Sequence, residues 1–262
     1  MFDIGVNLTS SRFDKDRDVV ITDAKQAGLT GMLVTGTNLE ESQQAAQLAA
    51  QHPAFLYATA GVHPHDAKTV TTETWPALAK LYDLPQVKAI GECGLDFNRD
   101  FSPRPTQQQV FEQQLAIACD KQMPLFMHER DAHERFIDMI KAHQGDLPPA
   151  VLHCFTGTMA ELEACLDLGL YIGITGWICD ERRGTHLIDA VRIIPDNRLL
   201  LETDSPYLLP RSMRPKPKSS RNMPQYLPYI AETIAHARSQ TLADLVTQTQ
   251  KNTVRCFGLS AS

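Results

Sequence analysis

The sequence predicts a TIM-type (β/α)8 barrel, and three observations carry that prediction. Eight short apolar runs alternate with helical segments along the chain, the signature of parallel βαβ units. The length of 262 residues is long for one sandwich and ordinary for a single barrel, so one domain is expected over residues 1–262. The third observation is a recurrence: His63, Glu92, His128, His153 and Asp204 each close an apolar run. A barrel gathers the C-terminal ends of all its strands at one mouth. An open doubly wound sheet, with its site at a switch point, leaves that recurrence unexplained.

In chain order, Phe2–Val6 reads as a strand ending at Asn7, and 16–27 as a helix stopped by Gly28. Gly31–Val34 and Leu39–Gln51 are the next strand and helix. A third strand over 55–62 runs into His63-Pro64-His65, and Thr74–Tyr82 is helical. The run Val87-Lys88-Ala89-Ile90-Gly91-Glu92 is a strand that ends in a carboxylate and breaks at glycine. Strict alternation puts Glu92 in the row of Ile90 and opposite Cys93. A helix over 106–121 precedes a strand over 124–127 that ends at His128, and 132–142 is helical. Ala150–Leu152 ends at His153, with a helix over 159–168 stopped by Gly169. A strand over 170–174 leads to Thr175 and Trp177, and 185–194 is helical. Leu199–Leu201 ends at Glu202-Thr203-Asp204, and helices over 224–238 and 241–256 finish the chain.

Composition narrows the function. A hydrophobic share of 43% and a charged share of 21% are those of a globular protein, and no apolar run reaches membrane-spanning length. Six scattered cysteines without CxxC pairing fit reduced thiols in the cytoplasm. A net charge of −6 excludes duplex binding by bulk electrostatics, so any nucleic-acid role needs a local basic patch. A monomer is expected.

A buried strand-end carboxylate is costly unless something pairs with it, and imidazole plus carboxylate suits a divalent ion. Cys93 and Cys154 follow ligand candidates directly, so alternation turns them toward the helix layer as packing residues. Glu202 lies two residues before Asp204, where it orients a ligand. His63 and His65 flank Pro64 at the strand end, where they could hold a phosphate, a purely structural His65 being the alternative.

Five ordered stretches then carry a resemblance: Gly61-Val62-His63-Pro64-His65, Gly91-Glu92-Cys93-Gly94-Leu95-Asp96, His128-Glu129-Arg130-Asp131-Ala132, His153-Cys154-Phe155-Thr156-Gly157 and Leu201-Glu202-Thr203-Asp204-Ser205-Pro206. Together they resemble the TatD family of metal-dependent deoxyribonucleases over nearly the whole chain. The opening Phe2-Asp3-Ile4-Gly5-Val6-Asn7-Leu8 and the run Trp177–Gly184 resemble the name-giving branch more than its paralogues. The resemblance implies a metallo-hydrolase barrel, a Mg-dependent nuclease with Mn or Zn as alternatives, and a cytoplasmic location. For that branch it implies 3′-to-5′ exonuclease action on single-stranded DNA and RNA, with DNA repair as a setting. It puts the metal-binding roles on Glu92, His128 and His153, and the catalytic Asp on Asp204, a general base or second-metal anchor. One departure stands out. Many relatives open with Asp-x-His-x-His, and here Gly5 and Asn7 hold the His positions. One firmly held ion, with any second ion weak, is therefore expected. Glu129 stands where relatives often carry a small residue, and alternation turns it from the mouth.

The substrate side is read from the loop after strand eight. Arg211, Arg214, Lys216, Lys218 and Arg221 cluster there with prolines between them, a stiff basic arm suited to a phosphate backbone. Trp177, Phe97 and Tyr207 lie just past strand ends, where an unpaired base could stack. Two rival readings remain: a barrel hydrolase of small esters, amides or aminoacyl-tRNA, and a non-catalytic binding module with a decayed site.

Overall fold

A computed structural model describes residues 1–259. Eight parallel strands pair in chain order: β1 (Phe2–Val6), β2 (Gly31–Val34), β3 (Leu56–Ala60), β4 (Val87–Asp96), β5 (Leu125–Arg130), β6 (Ala150–Leu152), β7 (Tyr171–Ile174) and β8 (Leu199–Leu201). The helices are α1 (Arg17–Gln26), α2 (Leu39–Gln51), α3 (Thr74–Tyr82), α4 (Arg104–Lys121), α5 (His133–Ala142), α6 (Met159–Asp167), α7 (Thr185–Ile193), α8 (Leu227–Ala237) and α9 (Leu242–Phe257). The ring closes where β1 meets the end of β8. There the Asp204 N–H donates to Gly5 O and the Asn7 N–H to Ser205 O, each at 2.8 Å. Asp3 reinforces the seam by accepting from the Thr203 N–H at 2.9 Å and the Thr203 hydroxyl at 2.6 Å. The expected barrel is the observed one.

Two apolar layers hold it together. Ile4, Leu33, Ala89, Phe126, Val151, Tyr171 and Leu200 fill the barrel interior. A larger layer lies between the strands and the helices, where aliphatic strand residues such as Ile90 and Ile172 meet Val20, Phe111, Phe136 and Leu245. Local signals set the helix ends. Asn38 accepts from the Glu41 N–H to start α2, and Thr158 with Glu161 forms a capping box on α6.

Several boundaries differ from expectation. β3 is shorter than the run over 55–62, because the chain at His63 turns into a 3-10 helix over Pro64–Thr69. The last-but-one helix is preceded by a separate 3-10 turn, Pro224–Tyr226. β4 and β5 continue past Glu92 and His128. The β4 pairing with β5 shifts register between Ile90 and Cys93, a bulge that reverses the side-chain phase. Ile90 and Cys93 therefore both face the helix layer, and Glu92 faces the mouth. Strict alternation had put Glu92 in the row of Ile90. Glycine permits the bulge: a Cβ on Gly91 would stand 2.1 Å from Phe126 O, and Gly91 has φ +139°.

Candidate active site

The mouth is a cavity of about 870 Å3 at the C-terminal ends of the strands. His63, His65, Glu92, His128, His153, Trp177 and Asp204 all line it. Each arrives by a simple route. His128 and His153 sit two residues beyond the interior Phe126 and Val151, so the strand repeat of two carries them inward. Glu202 relates to Leu200 in the same way.

Glu92 is the centre. Its Oε1 lies 2.8 Å from His153 Nε2, 3.2 Å from His63 Nε2 and 3.3 Å from His128 Nδ1. Burial works to raise the Glu92 pKa, yet His153 and His63 outweigh it and hold the carboxyl well below its ordinary value. The ligand atoms of His63, Glu92 and His128 lie within 4.8 Å of one another. His128 Nε2 is buried without a hydrogen bond, and Asp96 Oδ2 is 3.4 Å away. An orphaned buried nitrogen beside convergent carboxylates is a donor set that fits a divalent cation.

The histidines are not equivalent. His153 Nδ1 donates toward Glu202 Oε2 at 3.2 Å, and its Nε2 meets Glu92 Oε1 at 2.8 Å. His63 is the reverse: its Nδ1 accepts the His65 N–H at 3.1 Å, which puts the proton on Nε2. His63 thus points a donor at the cluster, and burial keeps it neutral by pushing its pKa down. Burial opposes charge on His153 as well, but Glu92 and Glu202 override it and raise its pKa well above the ordinary value. His65 is held by Asp96, with Nε2 and Oδ2 2.6 Å apart.

Asp204 faces the cluster with a positive φ of 54°. Burial pushes its carboxyl up to about 7, and the Asn7 amide donates to its Oδ1 at 2.9 Å. Asn7 thus positions a carboxylate. The empty strand-one position at Gly5 also has a physical reason. A Cβ there would stand 2.5 Å from Glu202 Oε2, so the Glu202 carboxylate fills the space a strand-one side chain would need. Glu202 is fully buried, and its Oε1 accepts the Cys154 N–H.

Four expectations need correction, the first being Glu129, which lines the mouth rather than turning from it. Cys154 lines the mouth, because a left-handed turn with φ 48° follows His153 and breaks the alternation. Cys93 does pack in the helix layer. The basic arm does not line the mouth. Arg211 is engaged by Glu181, at 2.9 and 3.1 Å, and Arg221 by Asp16. Arg214 donates to the carbonyls of Arg211 and Met213 and borders an outer groove between α7 and α8, while Lys216 is exposed and does not line the mouth. Phe97 also misses the mouth and lies under the Arg104 guanidinium at 4.5 Å. The cations that do line it are Arg99 and Arg130, with Phe101, Tyr207 and Trp177 as its aromatic rim. Arg183 stacks on Trp177 at 4.5 Å. Sequence reasoning missed both; the signal that could have found them is that Arg99 follows Asp96 by three residues and Arg130 follows His128 by two.

The model of the family described as TatD related DNase matches residues 2–258. The chain belongs to this family. It is thus a nuclease of the metal-dependent hydrolase kind. A protein of Erwinia tasmaniensis named 3′-5′ ssDNA/RNA exonuclease TatD is 56% identical over 259 residues, covering 99% of this chain and 100% of its own length. The Escherichia coli K12 protein of the same name is 55% identical over 260 residues, again 99% and 100%. Among solved structures, a TatD homologue from Escherichia coli K12 superposes with a TM-score of 0.89 at 25% identity, covering 99% of this chain and 98% of that one. A TatD family hydrolase from Entamoeba histolytica gives 0.85 at 25% identity, with 98% and 97% covered.

Proposed function

We propose that this family member is a 3′-to-5′ exonuclease that trims single-stranded DNA and RNA, acting as a one-domain cytoplasmic monomer. The observation that carries the reading is the buried Glu92 carboxylate ringed by three imidazoles, with Asp204 facing it across an open mouth. Near-full-length relatives of about the same size carry that activity in their names. No described helix is long and apolar enough to cross a membrane.

Glu92, His128 and His153, with Asp204 opposite, would hold the divalent cation. The carboxylate share favours Mg, with Mn or Zn admitted by the imidazoles. Bound there, a cation polarises a phosphoryl oxygen and acidifies water near neutral pH. The protein's own groups do the rest. Asp204, its Oδ1 fixed by Asn7, is placed to take the proton of the attacking water. His63 offers the Nε2 proton to a phosphate oxygen, because its other nitrogen is committed to the backbone. His65, locked on Asp96, stiffens the turn that presents His63. Glu202 fixes the His153 ring and tautomer. Arg99 and Arg130 contact the backbone, and Trp177, Tyr207 and Phe101 stack on unpaired bases.

The test is a metal-titrated digestion of 5′-labelled single-stranded DNA and RNA. A ladder of products shortening from the 3′ end is expected. Hydrolysis of charged tRNA or simple esters without any ladder would replace the reading with that of a small-bond hydrolase.

A further inference from the structure

The mouth has two side outlets. On one side it shares Thr9 and Ser11 with a polar groove along α2 that presents Gln44, Gln47 and Gln51. On the other it shares Glu129, Arg130 and Thr156 with a separate cavity of about 450 Å3. That volume falls in the range of small-molecule sites, roughly 300–1,000 Å3. Its floor is apolar, formed by Leu152 and Phe155, and its wall includes Glu129, Glu161 and His186.

Glu129 sets the character of this cavity. Its side chain is only 10% exposed. Oε1 accepts the Ala132 N–H at 2.7 Å, whereas Oε2 has no hydrogen bond, the nearest cationic candidate being His133 Nδ1 at 3.8 Å. A largely buried carboxylate therefore keeps an acceptor free at a cavity that Leu152 and Phe155 also line. Glu161 adds a second carboxylate, one oxygen of which caps α6 through the Thr158 N–H at 2.6 Å. Such a wall accepts hydroxyl and amine donors and repels phosphate. The α2 groove differs: its Arg17 and Asp14 pair with each other at 2.7 Å, and the rest of its lining is uncharged.

We propose that the cavity beside Glu129 is the subsite for the strand's terminal nucleoside, and that it selects an end bearing a free hydroxyl. The inference rests on the exonuclease reading. A terminal nucleoside carries phosphate on one side only, so a pocket that takes base and sugar while rejecting a further phosphate distinguishes an end from an interior position. Arg130 stands on the boundary of both cavities, its Nη1 donating to Thr156 Oγ1 at 3.0 Å, so its charge lies between the nucleoside cavity and the mouth where the scissile phosphate is cleaved. The rest of the strand leaves across the mouth toward the amide-lined groove on α2.

The experiment compares one 5′-labelled single-stranded oligonucleotide ending in a 3′-hydroxyl with the same strand ending in a 3′-phosphate. The wild-type protein and the double variant Glu129→Gln, Glu161→Gln are both assayed. Glutamine keeps an acceptor for the Ala132 and Thr158 N–H groups, so both caps survive, and circular dichroism checks the fold. The wild type should prefer the hydroxyl end in kcat/KM by at least about tenfold, and the double variant should bring that ratio within about twofold, as expected when like-charge repulsion is removed. Equal trimming of both ends by the wild type, or an unchanged ratio in the variant, overturns the subsite and leaves the exonuclease intact. Absence of 3′ trimming from either substrate overturns the exonuclease and the subsite together.

Discussion

Three imidazoles crowd one oxygen of Glu92, so this side chain is the common partner of the cluster. Glu92→Ala removes an anchor and the partner of three histidines together. Activity should fall by well over the roughly 10–100-fold that loss of an indirect metal-site contact costs. The fold should persist, because the packed interior layer is formed by other residues. Circular dichroism and 3′ trimming, read on the same preparation, check both halves, and full cleavage at saturating metal would remove Glu92 from the site. Asp3 makes a different, pH-dependent contribution. Burial raises its carboxyl to about 8 from 3.8, against three hydrogen bonds from Thr203 and Gly5 that pull the other way. Between those two values the folded chain keeps a proton that the unfolded chain releases, so stability falls as pH rises. The Asp3 share is complete below about 4, fades by on the order of 1 kcal/mol per pH unit, and is gone above about 8. Urea unfolding at pH 5 and pH 8 should show that slope in the wild type and a shallower one in Asp3→Asn. Matching slopes would show that Asp3 is already ionised in the folded protein.

The loops divide the work unequally. The loop after β4 and the end of β5 bring Arg99 and Arg130 to the mouth, while the loop after β8 spends its arginines on Glu181, Asp16 and its own carbonyls. Arg99→Gln with Arg130→Gln should reduce the salt dependence of single-strand binding by about 1.4 in the log–log slope, from roughly 0.7 per phosphate contact. Replacing Arg211, Arg214 and Lys216 should leave the slope near its wild-type value. Fluorescence anisotropy across a salt series separates the two sets. The barrel itself was legible in the sequence, because each strand-end side chain was marked by the apolar run before it. The arm was misread for a physical reason. Clustering along the chain says nothing of ion pairs, and the acid that occupies Arg211 lies 30 residues away. The bulge at Gly91 was hidden likewise, since a two-residue repeat carries no mark of the register shift that turns Glu92 inward. Gly5 was the opposite case: its lack of a side chain was visible at once, but the carboxylate filling that space comes from Glu202.

Across the whole molecule, the candidate site draws on β4, β5 and the segments following β3, β6 and β8, so whatever binds there ties much of the ring together. Mn titration should raise the melting temperature, with about 2.7 kcal/mol gained at a hundred times Kd. Scanning calorimetry across that titration checks it, and a flat melting temperature would mean the mouth holds no ion tightly. The seam has a consequence of another kind. Its two sides, Asp3 and Thr203, are 200 residues apart. At synthesis rates of about 5–20 residues per second, the first strand waits on the order of ten to forty seconds for the strand that seals it. During that wait its edge is open to any neighbouring chain, the situation in which strands aggregate. An acid in the middle of Phe2-Asp3-Ile4 is ionised in the nascent chain and keeps that edge from pairing early. The residue that weakens the finished barrel at high pH is thus the one that protects it while it is being made.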